Sequence, residues 1–107
     1  MDRRSGNERR QTERHRITVD IEWENHSGRH HGTLSDISLE GCFVLASGDF
    51  ANGERVFVYL PNGDGTTTKL AGEVSNHVFE IGFAVKFVEL TEETNKKLSG
   101  LIENYKK

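Results

Sequence analysis

The chain reads as a mostly-β domain, a small antiparallel barrel or sandwich of six strands closed by one C-terminal helix. Three observations predict it. Short stretches of apolar and polar residues in strand-like alternation recur between residues 17 and 88. Turn-forming glycine, asparagine and aspartate separate them at close intervals. Residues 91–107 then change to the spacing of a helix. A length of 107 residues suits one domain, which would bury roughly two-thirds of its unfolded surface.

Each element has its own signal. Residues 1–14 are polar, contain Gly6 and lack hydrophobic period, so they are expected to form a flexible arm. From Ile17 the alternation is regular. Ile17, Val19, Ile21 and Trp23 share one face, and Thr18, Asp20, Glu22 and Glu24 share the other, as in a half-buried strand. "NHSG" (25–28) is a turn, and residues 29–37 form a second, more polar strand. "GCFVLAS" (41–47) is a third strand after a break at Gly41, "SGDFANGE" (47–54) a loop and "RVFVYL" (55–60) a fourth strand. "PNGDG" (61–65) is a hairpin turn, because Asn-Gly and Asp-Gly accept positive φ. The fifth strand covers about 66–75 and the sixth about 78–88.

The helix is expected over about 91–105. Leu98, Leu101, Ile102 and Tyr105 make its apolar stripe, and Thr91 is the N-cap. Glu92 and Glu93 at its start, with Lys106 and Lys107 at its end, complement the helix dipole. Gly100 weakens it, so the helix depends on packing against the strands. The chain thus divides into an arm, 1–14, and a barrel with its helix, 15–107.

The net charge of −3 hides an asymmetry. Residues 1–16 carry six arginines against Asp2, Glu8 and Glu13, a balance of +3, while residues 17–107 carry −6. A DNA-binding domain usually spreads positive charge over a folded face. Here the charge sits on the segment least suited to a core, which fits an arm that closes over a small anion, although a basic tail can also be merely solvated. The longest apolar runs, Cys42–Ala46 and Val56–Leu60, are five residues each, too short for a membrane span or a signal-peptide core. A single cysteine, Cys42, cannot form an intrachain disulfide, so a reducing cytosol is expected.

Two stretches carry chemistry. In "RRQTER", Arg10 and Arg14 stand four apart with Arg9 beside them. The planar guanidinium pairs bidentately with phosphate and with the O6 and N7 acceptors of guanine. In "DISLEG" (36–41), a strand places Asp36 and Ser38 together on the outer surface and turns Ile37 and Leu39 to the core. Gly41 leaves room for a backbone or ligand, or supplies a positive φ at a bend. The same residues also suit a strand end followed by a turn.

Taken together, RxxxR followed about twenty residues later by DxSxxG, ahead of a six-stranded barrel and a helix, resembles the PilZ domain family. "EIGFAVKFVELTEET" (80–94) is similar to the family's final strand leading into its closing helix, and the resemblance runs from about Glu8 to Tyr105. It implies a six-stranded antiparallel PilZ-type β-barrel with a C-terminal α-helix and a flexible basic arm. It also implies a bacterial, cytoplasmic receptor for the second messenger cyclic di-GMP, acting as an adaptor in motility, adhesion or biofilm control. On that basis Arg10 and Arg14 grip phosphates and guanine edges, Asp36 accepts guanine N–H groups, Ser38 hydrogen-bonds nearby and Gly41 permits close approach. In the family, an arginine at the position of Arg9 goes with two intercalated ligand molecules. The family often has an aromatic or polar contact near the end of the fifth strand; "EVSNHV" (73–78) has no Trp there and offers Asn76 or His77.

Other features point to plainer roles. His30 and His31 face opposite ways in a strand, and the remaining histidines are scattered, so no metal site is expected. Cys42 reads as a buried side chain and Trp23 as core. No carboxylate pair, P-loop or dinucleotide fingerprint suggests an enzyme or a cofactor beyond the ligand. Membrane insertion is not expected, and a downstream protein partner is. Two competing readings are a PilZ-like protein interaction module independent of ligand, opposed by the complete motifs, and a nucleic-acid binder, opposed by the acidic body.

Overall fold

The computed structural model describes residues 13–48 and 50–106. Among them, six strands and one helix follow in order: β1 (His15–Asn25), β2 (Gly28–Ile37), β3 (Gly41–Leu45), β4 (Arg55–Pro61), β5 (Thr67–Val78), β6 (Gly82–Phe87) and α1 (Glu92–Lys106). All neighbours pair antiparallel, and the sheet closes into a barrel in the order β1-β2-β3-β6-β5-β4. The open choice between barrel and sandwich is thereby resolved as a barrel. Closure is made by the short β1–β4 ladder, Glu22↔Tyr59 to Glu24↔Phe57.

The inward faces form one core. Ile21 and Trp23 of β1 meet Leu34 and Ile37 of β2, Val44 of β3, Val56 and Val58 of β4, Leu70 and Val74 of β5, and Phe83 and Val85 of β6. Trp23 is core, its ring against Phe50 and Phe83 with centroids 5.2 and 4.9 Å away and its Nε1–H donating to the His31 carbonyl. Helix α1 buries Leu98, Leu101 and Ile102 in the same core and lies against β1. Thr91 caps it: its Oγ1 accepts the Thr94 N–H at 3.0 Å. Nothing approaches the Cβ position of the exposed Gly100, so its cost to the helix is offset by that packing.

The largest departure from the sequence reading lies at the last hairpin. β5 continues to Val78, and the turn falls at Phe79–Ile81, inside the stretch expected to be the sixth strand. No Gly, Asn or Pro marks it. Glu80 takes the left-handed conformation (φ 62°) itself, held by the Ile81 N–H bond to the Val78 carbonyl and the Val78↔Gly82 pairing. A bulge between Val74 and Asn76 lengthens β5 beyond its alternation.

Candidate functional site

The site grows from the end of β2. Arg16 pairs with Asp36, Asp36 with Phe43, Phe43 with Ala84, and Ala84 with Asn76. Directly paired residues point to the same face. Val44, Phe83 and Val85 turn inward, so this row lies on the barrel's outer surface, across β1, β2, β3, β6 and β5. A depression of about 400 Å³ opens at its β1–β2 end, lined by Arg16, Ile17, Thr18, Ser35 and Asp36.

Arg14 stands one residue before β1 and reaches over this end. Its Nη1–H donates to Asp36 Oδ1 at 2.7 Å, with the arginine side chain 55% and the aspartate 27% exposed. The two motifs, 22 residues apart in sequence, are therefore in contact. Arg9 and Arg10 lie outside the described residues, as does the arm up to residue 12.

Ser38 differs from expectation. It lies beyond the end of β2 and is 2% exposed, not standing on the outer surface beside Asp36. Its Oγ accepts the N–H groups of Glu40 (3.1 Å) and Gly41 (3.3 Å), and its own N–H donates to the Gly41 carbonyl at 2.8 Å. Ser-x-x-Gly is thus the signature of a tight turn, with serine first and glycine fourth. Leu39, expected to point to the core from a strand, sits in this turn and is half-buried against the core.

Gly41 is needed for a close backbone approach and not for a positive φ. A Cβ there would stand 2.1 Å from the Val85 carbonyl oxygen of β6. Phe87 N–H also donates to the Glu40 carbonyl, so the turn is stitched to β6. The Ser38–Gly41 turn fixes where β2 ends, and with it the place of Asp36.

The register separates Asn76 from His77. Asn76 belongs to the outer row with Asp36, whereas His77 pairs with Phe83 and turns to the opposite face. There its Nε2 hydrogen-bonds the Gly48 carbonyl at 3.0 Å, and its ring meets Phe50 edge-on. Arg16, which contributes to the basic charge of residues 1–16 in the sequence, also belongs to the outer row. The only signal in the sequence is its spacing of two from Arg14, which places both on one side of an extended segment; its pairing with Asp36 comes from the β1–β2 register. A second cavity, about 590 Å³, lies at the other end of the β1–β2 ladder around Asn25, Ser27, His30 and Gly48, away from both motifs. Cys42 is fully buried; burial pushes its thiol pKa up, and the charge of Asp36 adds to the rise. Among the described residues no cluster of metal-ligating side chains occurs, and no helix is long and apolar enough to cross a membrane.

The model of the PilZ domain family matches residues 8–104. The chain belongs to the PilZ domain family. Solved PilZ structures share its fold. The PilZ domain of CeSA from a cellulose-synthesizing bacterium superposes with a TM-score of 0.71 at 18% identity, covering 87% of this chain and 97% of that one. The PilZ domain of YcgR from Escherichia coli, with c-di-GMP, gives 0.71 at 14% identity, covering 91% of each chain. PlzA of Borreliella burgdorferi, in complex with c-di-GMP, gives 0.68 at 16% identity, covering 99% of this chain and 44% of that one. No curated protein matches the sequence. In this PilZ domain the RxxxR and DxSxxG motifs meet through Arg14 and Asp36.

Proposed function

We propose that this PilZ domain is a receptor for cyclic di-GMP and holds it on the outer row that starts at Arg16 and Asp36. The observation that carries the reading is the Arg14–Asp36 contact, because it joins the two motif halves at one end of a polar depression. The YcgR and PlzA structures, which hold c-di-GMP, support it further.

In this reading Arg9, Arg10 and Arg14 grip the two phosphates and the guanine edges, and Asp36 accepts guanine N–H groups. Ser38 and Gly41 act through the turn that fixes Asp36. The ligand's two negative charges meet a body of net −6, so the basic arm supplies the attraction. Capture orders the arm across the barrel, and that change is the signal passed to a partner protein in a bacterial cytoplasm, with no catalytic step.

Calorimetry with cyclic di-GMP, GTP and linear pGpG tests the binding. The wild type should bind cyclic di-GMP selectively, and Arg10→Ala should lose on the order of 1–3 kcal/mol. A folded wild type that binds none of the three overturns the receptor. Amide exchange tests the switch: residues 5–14 should gain protection only with cyclic di-GMP, and unchanged protection refutes it.

A further inference from the structure

The row proposed to hold the ligand contains one aromatic side chain, and neither motif includes it. Phe43 of β3 stands between Asp36 of β2 and Ala84 of β6 and pairs directly with both. It faces outward and is half-buried. What buries it is the sheet itself: a Cβ at Gly82 of β6 would stand 3.0 Å from Phe43 Cε2, so the ring edge lies over bare backbone. An aromatic ring over a strand glycine is backed by the sheet on one side and open to solvent on the other.

The ring adjoins the depression beside Asp36. Gly82 pairs with Leu45, two residues beyond Phe43, so the ring leans toward that end of the strands. Thr18 and Ser35, which line the depression, lie to the same side of the Arg16–Asp36 pair. On the other flank Ala84 is small and leaves the space above the ring unfilled. The remaining outward rings of the barrel strands are covered. Lys69 Nζ lies 4.4 Å from the Phe57 centroid, and Arg29 Cζ lies 3.8 Å from that of Tyr59. Among the described residues no cation stacks on Phe43 in this way.

We infer that Phe43 is the stacking platform for one guanine of cyclic di-GMP. Directly paired residues have Cβ atoms about 5 Å apart. A purine lying about 3.5–4 Å above the ring therefore brings its hydrogen-bonding edge to Asp36. Every base has a π face, so Phe43 supplies affinity, while Asp36 supplies the choice of guanine. This inference rests on the receptor reading, and its test separates the two.

Solution NMR and calorimetry on the full chain with cyclic di-GMP provide that test. In the saturated wild-type complex, Phe43 ring protons should show nuclear Overhauser contacts to a guanine H8, and that H8 should move upfield under the ring current. Phe43→Leu still covers Gly82, so it should melt like the wild type. It should bind about tenfold more weakly and lose the upfield shift. Phe43→Tyr, which restores a ring, should rescue both. If Phe43→Leu loses its cooperative melt, the contacts in the wild-type complex decide alone. The inference is overturned if a saturated wild-type complex shows no contact between Phe43 and the base, or if folded Phe43→Leu keeps the wild-type affinity. The receptor reading survives either result, whereas a folded wild type that binds no cyclic di-GMP overturns both.

Discussion

Arg14 and Asp36 are hydrogen-bonded at 2.7 Å although 22 residues separate them, and both remain partly open to solvent. An exposed ion pair contributes at most about 1 kcal/mol to stability, because water screens it and ordering the arginine costs entropy. Arg14→Ala and Asp36→Asn should therefore shift the urea unfolding free energy by less than about 1 kcal/mol. Each should weaken cyclic di-GMP binding about tenfold or more. A large stability loss with unchanged affinity would make the pair a structural clasp instead.

Ser38→Ala should behave in the opposite way. The buried hydroxyl is the acceptor for two backbone N–H groups, and alanine leaves both without it. The expected loss is about 1–3 kcal/mol in urea unfolding. Any effect on affinity should come from displacement of Asp36, visible as altered amide shifts in residues 36–41.

Gly41→Ala should damage the fold itself. The added Cβ would overlap the Val85 carbonyl, a backbone atom that cannot move without opening the β3–β6 ladder. Circular dichroism and a thermal melt should show loss of the cooperative transition or a drop in Tm of ten degrees or more. A wild-type-like melt would show that β6 can retreat.

Tyr105 links pH to the seat of the helix. Its hydroxyl donates to the Pro61 carbonyl at 2.6 Å, and burial pushes its pKa up to about 12. The folded state therefore holds a proton that the unfolded chain releases near pH 10. This contribution is fully present below pH 10 and is lost as pH rises toward 12. Tyr105→Phe should cost about 1 kcal/mol at pH 7 and should show a shallower loss of stability above pH 10. Equal alkaline slopes in the two proteins would remove Tyr105 as the cause.

Local patterns suffice for much of this fold. Alternation marks β1, Asn-Gly and Asp-Gly mark the β4–β5 turn, and Thr91 with its following acids marks the start of α1, because each signal acts between residues close in the chain. The residues of the RxxxR and DxSxxG motifs are likewise visible in one dimension, since residue type and spacing suffice to display them. Their contact is not, because Arg14 meets Asp36 only after β1 and β2 pair in one register. The same dependence on pairing governs the rest. A turn lacking glycine at Phe79–Ile81 is imposed by the β5–β6 ladder, and the bulge before Asn76 sends Asn76 outward and His77 inward. Ser38 reads as a surface donor while its strand is assumed to continue. It becomes the pivot of a buried turn once β6 packs against Gly41. Sequence alone determined which groups this protein carries and where most of its strands run, the last hairpin excepted. The closing of six strands into a barrel decided which of those groups share a face, because register between distant strands is a property of the packed core and not of any one segment.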